Sequence, residues 1–188
     1  MKKIIRTILL SILCIMFCSG LINIISDYNN KKWQPYQQGD TLTFLSSNGD
    51  TAKWDILQIE KVHNPSDPLL LWKPWIYSTF VCTKKDLGGI IVNISIKSGK
   101  RTIILEPCFR RGTLRIKENE TKLTKMKYHH SEVLVLKPDH DDWHGDPYLQ
   151  TVYWSPQYGY IKVFYSDSTE WELISFIRNG ISLYKREP

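Results

Sequence analysis

Residues 41–62 read TLTFLSSNGDTAKWDILQIEKV, and the parsing of this stretch decides the fold. Apolar and polar residues alternate through TLTFLS and again through TAKWDILQIEKV, the period of a strand with one buried face. Between them stands SSNGD. Asn48-Gly49 suits a two-residue hairpin turn, because both central residues of that turn take positive φ and these two tolerate it best. Two strands and a tight reversal follow from this stretch alone.

The same grammar recurs downstream. GIIVNISIK and RTIILEP flank Ser98-Gly99-Lys100 as a second hairpin, and GTLRIKE and KLTKMKY flank Asn119 as a third. SEVLVLK is a short β-branched run. TVYWS, then YIKVFY and EWELISFI around SDST, form a final meander that ends near ISLYK. After residue 27 no stretch carries helical periodicity with caps. Short strands punctuated by turns indicate an all-β domain, a single antiparallel sandwich or a partly open barrel built of hairpins. An N-terminal apolar helix precedes it. Trp54, Trp154, Trp171, Phe164 and Phe176 sit in the alternating runs and are expected in the core or as cross-strand partners. Residues 69–82, LLLWKPWIYSTFVC, are the most apolar part of the body. Pro74 lacks a ladder donor, which favours a kinked edge strand with Trp72, Trp75 and Tyr77 packed on a neighbouring sheet. The competing reading is an aromatic lip around a ligand cavity or a surface resting on a bilayer.

The N-terminus fixes the compartment. Lys2, Lys3 and Arg6 precede an apolar run from Ile8 to Ile25, the charge-then-apolar layout of an export signal. The run is also about long enough to span a bilayer, which takes roughly 17–25 residues. Residues 1–26 are thus a signal peptide or membrane anchor, 27–38 (DYNNKKWQPYQQ) a polar tether, and 39–188 a β-rich extracytoplasmic domain. Three fates compete: lipidation at Cys18, cleavage after Gly20, or retention as an anchor.

Four cysteines are present, two of them in the leader. Cys82 and Cys108 remain as an even pair for an oxidising compartment, where a disulfide would contribute about 3 kcal/mol. Two buried thiols are the alternative. Charge is uneven: residues 97–127 hold ten basic and three acidic residues, residues 128–188 five and nine. The leader supplies three of the six net positive charges. So small an excess in the body does not imply nucleic acid. The basic middle either faces anionic lipid or an acidic envelope partner, or is a solvated sheet face.

HDDWHGD, residues 140–146, is the most chemically suggestive segment. His140 and His144 with Asp146 are the candidate ligands for zinc, and His129 or His130 would add another. Pro138, Gly145 and Pro147 make the segment a loop, in which spacing four apart carries no fixed geometry, so a solvated polar turn competes. The ordered spacing of a calcium loop is missing. No HExxH, GxSxG or phosphate-binding glycine loop occurs.

The Lys-Lys start, the apolar run and Cys18-Ser19-Gly20 resemble bacterial lipoproteins, with Phe17 standing where the lipobox has a small residue. YWSPQYGYIKVFYSDSTEWELI, residues 153–174, is similar to the C-terminal region of small uncharacterised bacterial envelope lipoproteins. The resemblance implies an envelope lipoprotein with a β-rich body and brings no catalytic residues. The resulting expectation is a membrane-tethered β-domain with a binding or structural role in the cell envelope. A metal-dependent hydrolase using the 140–146 loop and a carrier of a small apolar ligand inside a barrel are the alternatives.

Overall fold

A computed structural model describes residues 32–63, 75–83, 89–97, 100–109, 113–117, 123–129, 131–138 and 147–186. The residues from Trp33 onward form one compact unit. It consists of twelve strands: β1 (Thr41–Ser46), β2 (Thr51–His63), β3 (Trp75–Thr83), β4 (Gly89–Lys97), β5 (Lys100–Leu105), β6 (Leu114–Lys117), β7 (Thr124–Tyr128), β8 (Ser131–Leu136), β9 (Leu149–Ser155), β10 (Gly159–Tyr165), β11 (Glu170–Arg178) and β12 (Ile181–Lys185). No helix occurs among the described residues, so the all-β expectation holds.

The strands form one antiparallel sheet in the order β6-β5-β4-β3-β2-β1-β11-β10-β9-β8-β7, with β12 added on β11. Strands adjacent in sequence are therefore adjacent in space except β6 and β7, which end the order, and one pairing joins strands distant in sequence. There β1 pairs with β11, Thr41 facing Ile177 and Ser46 facing Trp171. The reversal at Asn48-Gly49 forms, but not as a two-residue turn with both residues at positive φ: only Gly49 takes it, and Gly49 N–H donates to the Ser46 carbonyl at 3.0 Å. Gly49 takes φ +87°, and the Ser46 and Asp50 backbones close the loop through Ser46 N–H to Asp50 O at 2.8 Å.

The sheet curls over on itself. On β10 the Tyr160 hydroxyl donates to the Ile91 carbonyl on β4 at 2.6 Å. Counted along the sheet, β10 and β4 are five strand spacings apart, about 24 Å if the sheet were flat. Only a folded-over sheet brings them into contact. The enclosed side chains follow the period-two pattern: Leu42 and Phe44 from β1, Trp54 and Ile56 from β2, Ile103 and Leu105 from β5, Val152 and Trp154 from β9, all at most 2% exposed. Trp54, Trp154 and Phe176 are fully buried and Trp171 is half-buried, as their place in alternating runs predicts.

Four further expectations need correction. The domain begins before residue 39, because Trp33 and Tyr36 are buried in its core. The Asn119 hairpin does not form among the described residues: β6 pairs with β5 and β7 with β8, at opposite ends of the sheet order. Residues 75–83 are an interior strand between β2 and β4, since the strand starts after Pro74 and loses no ladder bond to it. No disulfide is present among the described residues. Cys82 lies on β3, its side chain outside the described ones, while Cys108 follows β5 with Sγ 3.7 Å from the Glu106 carbonyl oxygen. Strand β4 separates β3 from β5.

Four cations of the basic middle fall on the two outermost strands of the sheet. Arg115 and Lys117 point outward from β6, and Lys125 and Lys127 from β7, while Leu114 and Ile116 turn inward. Cations on outermost strands discourage pairing with another chain.

Candidate functional site

Two constellations of polar and aromatic side chains stand out, one where the chain enters the domain and one on the outer face of β9–β11.

At the entry, residues 33–40 precede β1 and pack across the strand ends. Trp33 lies 5.9 Å from Trp154 and Tyr36 meets Trp154 edge-on at 6.1 Å. The Tyr36 hydroxyl accepts the Tyr160 backbone N–H at 2.9 Å. Gly159 makes this approach possible: it takes φ +76°, and a Cβ there would lie 1.9 Å from the Tyr36 hydroxyl oxygen. Asp40, 1% exposed, closes the segment. Arg178 donates from Nε and Nη2 to its two carboxylate oxygens at 2.8 and 2.7 Å, and from Nη2 to the Pro35 carbonyl at 2.8 Å. The Gln37 N–H donates to the same carboxylate at 2.7 Å. The hydrogen-bonded Asp40 carboxylate raises the Arg178 pKa further above its usual range. A two-pronged pair whose carboxylate accepts three hydrogen bonds fixes geometry as well as charge.

On the outer face, Glu172 of β11 is only 7% exposed although it points away from the core. The β7–β8 turn covers it. His129 Nε2 lies 3.3 Å from one carboxylate oxygen, and with an acceptor there that nitrogen carries the proton. The Tyr128 hydroxyl also hydrogen-bonds the carboxylate. Arg186 Nη1 donates at 3.1 Å, and Lys162 Nζ stands 3.8 Å away. Tyr128 rests edge-on against Tyr153 at 5.3 Å, and Tyr153 against Phe164 at 5.0 Å. His129 takes φ +50° to make the turn.

The electrostatics of this cluster oppose proton abstraction by its phenols. Burial, then the Glu172 charge, raises the Tyr128 pKa, and the same two causes raise that of Tyr184. Both phenols stay protonated. The cluster therefore supplies hydrogen-bond donors and a neutralised carboxylate, which hold the β7–β8 turn against the sheet.

The interior is aromatic. Phe109, on the turn after β5, stacks on Trp171 (4.6 Å between centroids, 4° between planes) and on Trp54 (4.6 Å, 29°). It meets Phe44 edge-on at 4.9 Å. Trp54 Nε1 and Trp171 Nε1 are buried without an acceptor among the described residues.

Of the residues singled out from sequence, Cys18, His130, His140, His144 and Asp146 lie outside the described residues. Among the described residues, no group of three or more His, Cys, Asp or Glu is placed to hold a metal ion. His129 is placed, and its partner is Glu172. The structure adds Asp40, Arg178, Tyr36 and Glu172. Local sequence signals none of these pairings: an acidic residue between Trp171 and Leu173 reads as an ordinary outward position. Comparison with models of protein families, with curated proteins and with solved structures found no match to this chain.

Proposed function

We propose that this chain is an exported, membrane-tethered β-domain with a non-enzymatic binding or structural role in the cell envelope. The curled sheet is read as a partly open barrel whose gap falls between β6 and β7. The observation that carries the reading is the latch at the entry. The basic-then-apolar leader ends a few residues before Trp33, and residues 33–40 are locked onto β11 by the Arg178–Asp40 pair and onto β10 by the Tyr36–Tyr160 bond. A tether needs a firm attachment at its base, and this one has it. The intact mass of the mature N-terminus, measured on protein from native membranes, tests the proposal and separates lipidated Cys18, a cut after Gly20 and a retained anchor. Native protein found in the cytosol with its leader intact would overturn it.

A second reading, carriage of a small apolar ligand, is favoured by the Trp54–Phe109–Trp171 stack. Phe109 comes from a turn and not a strand, and neither flanking indole N–H has an acceptor among the described residues. A planar ligand with acceptor atoms at its edge could answer those N–H groups only by taking the place that Phe109 holds between the indoles. Co-purified small molecules, extracted from native protein and identified by mass spectrometry, decide between the two. The metal-dependent hydrolase rests on His140, His144 and Asp146, and elemental analysis for zinc on protein purified without chelator tests it.

A further inference from the structure

Exposed apolar side chains are not scattered over this domain. Among the described residues the large exposed ones are Leu57, Met126, Ile177, Ile181 and Leu183, and all but Met126 sit around the point where the chain enters. Ile177 faces Thr41 in register, and Ile181 faces Arg178, whose guanidinium holds the Pro35 carbonyl. Leu183 lies on the same hairpin. Leu57 follows Ile56, whose backbone N–H donates to the Asp40 carbonyl at 2.8 Å and whose carbonyl accepts from Gly39 at 2.9 Å. The aliphatic group thus flanks the start of β1 on both sides. Ile181 is the most exposed of the set at 66%.

The chain outside this entry identifies the occupant. Between Ile25, the end of the apolar run, and Trp33 lie seven residues. Fully stretched, the eight steps from Ile25 to Trp33 span at most about 28 Å. A leader retained uncut in a bilayer therefore holds Trp33 within that distance of the membrane surface. Lys185 is exposed on β12 and Lys31 lies in the short leash, so cations accompany the aliphatics, the combination that settles in an anionic headgroup layer. We propose that the β11–β12 hairpin, through Ile177, Ile181 and Leu183, is a lipid-contacting foot that seats the domain on the bilayer holding its leader. The inference rests on the membrane-tether reading and adds an orientation to it: β11 stands with residue 178 towards lipid and residue 170 away.

Photo-crosslinking on the full chain tests this. Benzoylphenylalanine is placed singly at 181, at 183 and, as the distant control, at 168, beyond the other end of β11. The protein is reconstituted in vesicles of four parts phosphatidylcholine to one part phosphatidylglycerol carrying a trace of alkyne-tagged lipid. The expected result is lipid adduct at 181 and 183 at least fivefold above that at 168, falling to the control level in the double variant I177E/L183E labelled at 181. Two failures are distinguishable. If the protein does not float with the vesicles, the tether reading itself falls and the foot with it. If it floats while position 181 labels lipid no more than 168, or crosslinks to protein instead, the foot is overturned and the tether stands.

Discussion

Arg178 grips Asp40 with two charge-assisted hydrogen bonds of 2.8 and 2.7 Å across 138 positions of sequence. The carboxylate is buried and the guanidinium largely so. Removing one partner leaves the other charged in a poorly hydrated place, which costs about 3–5 kcal/mol for a buried pair. Asp40→Asn is expected at the lower end, about 3 kcal/mol, because the Arg178 side chain retains some solvent. The midpoint of urea unfolding measures it, with protection of residues 33–40 from hydrogen exchange lost first.

Two glycines separate backbone strain from steric conflict. Gly49 and Gly159 both take positive φ, but a Cβ at Gly49 meets nothing within 4 Å while one at Gly159 would overlap Tyr36. Gly49→Ala is expected to cost about 1 kcal/mol, the conformational penalty alone. Gly159→Ala adds overpacking and is expected to cost about 3 kcal/mol or more. Thermal or urea unfolding of the two variants side by side checks the difference.

Alkaline pH is expected to unfold the domain early. Burial is the largest cause raising the pKa of both Tyr36 and Tyr160 above the ordinary value of 10.0. The unfolded chain then releases these protons near pH 10 while the folded one holds them. Their contribution is complete below pH 10 and is lost as pH climbs through the raised folded-state values. Urea midpoints should stay level up to about pH 9.5 and fall steeply beyond. Tyr160→Phe should fall less steeply, though from a lower starting stability because the Ile91 carbonyl loses its donor.

Glu172→Gln is expected to loosen the outer face without unfolding the core. Its cations and His129 are between 15% and 47% exposed, so each pair contributes little, about 1 kcal/mol or less. What changes is the seating of the β7–β8 turn. Amide exchange of residues 124–129 should quicken several-fold, while the global unfolding midpoint moves by less than that of Asp40→Asn.

The elements that sequence revealed are those whose signals are local. Asn48-Gly49, Ser98-Gly99 and the alternation of YIKVFY and EWELISFI each encode one turn or one buried face, and each strand formed. The Asn119 hairpin failed by the same logic. Two adjacent strands with a turn residue between them satisfy every local rule, yet β6 and β7 take different partners because the closing register is set elsewhere, by β1 against β11. Pro74 misled in a similar way, since its effect depends on whether it falls inside the strand or just before it. The tether reading stopped too late because Asn/Gln-rich composition masked Trp33 and Tyr36, whose pockets are made by Trp154, Tyr160 and Phe176. Asp40 and Arg178 carry no sequence sign of each other. Glu172 looks solvent-facing until a turn from 43 positions upstream is laid over it.

The pairing of β1 with β11 also sets a timetable. Trp33 and Tyr36 meet Trp154, Tyr160 and Phe176, and β1 gains its second neighbour, only when residues 154 to 178 have been made and delivered. A polypeptide emerging head first from a ribosome or a translocation pore therefore remains pliable through most of its passage. It locks as a unit once the last few dozen residues arrive, and an earlier release would leave the first strand paired with β2 on one edge and open on the other.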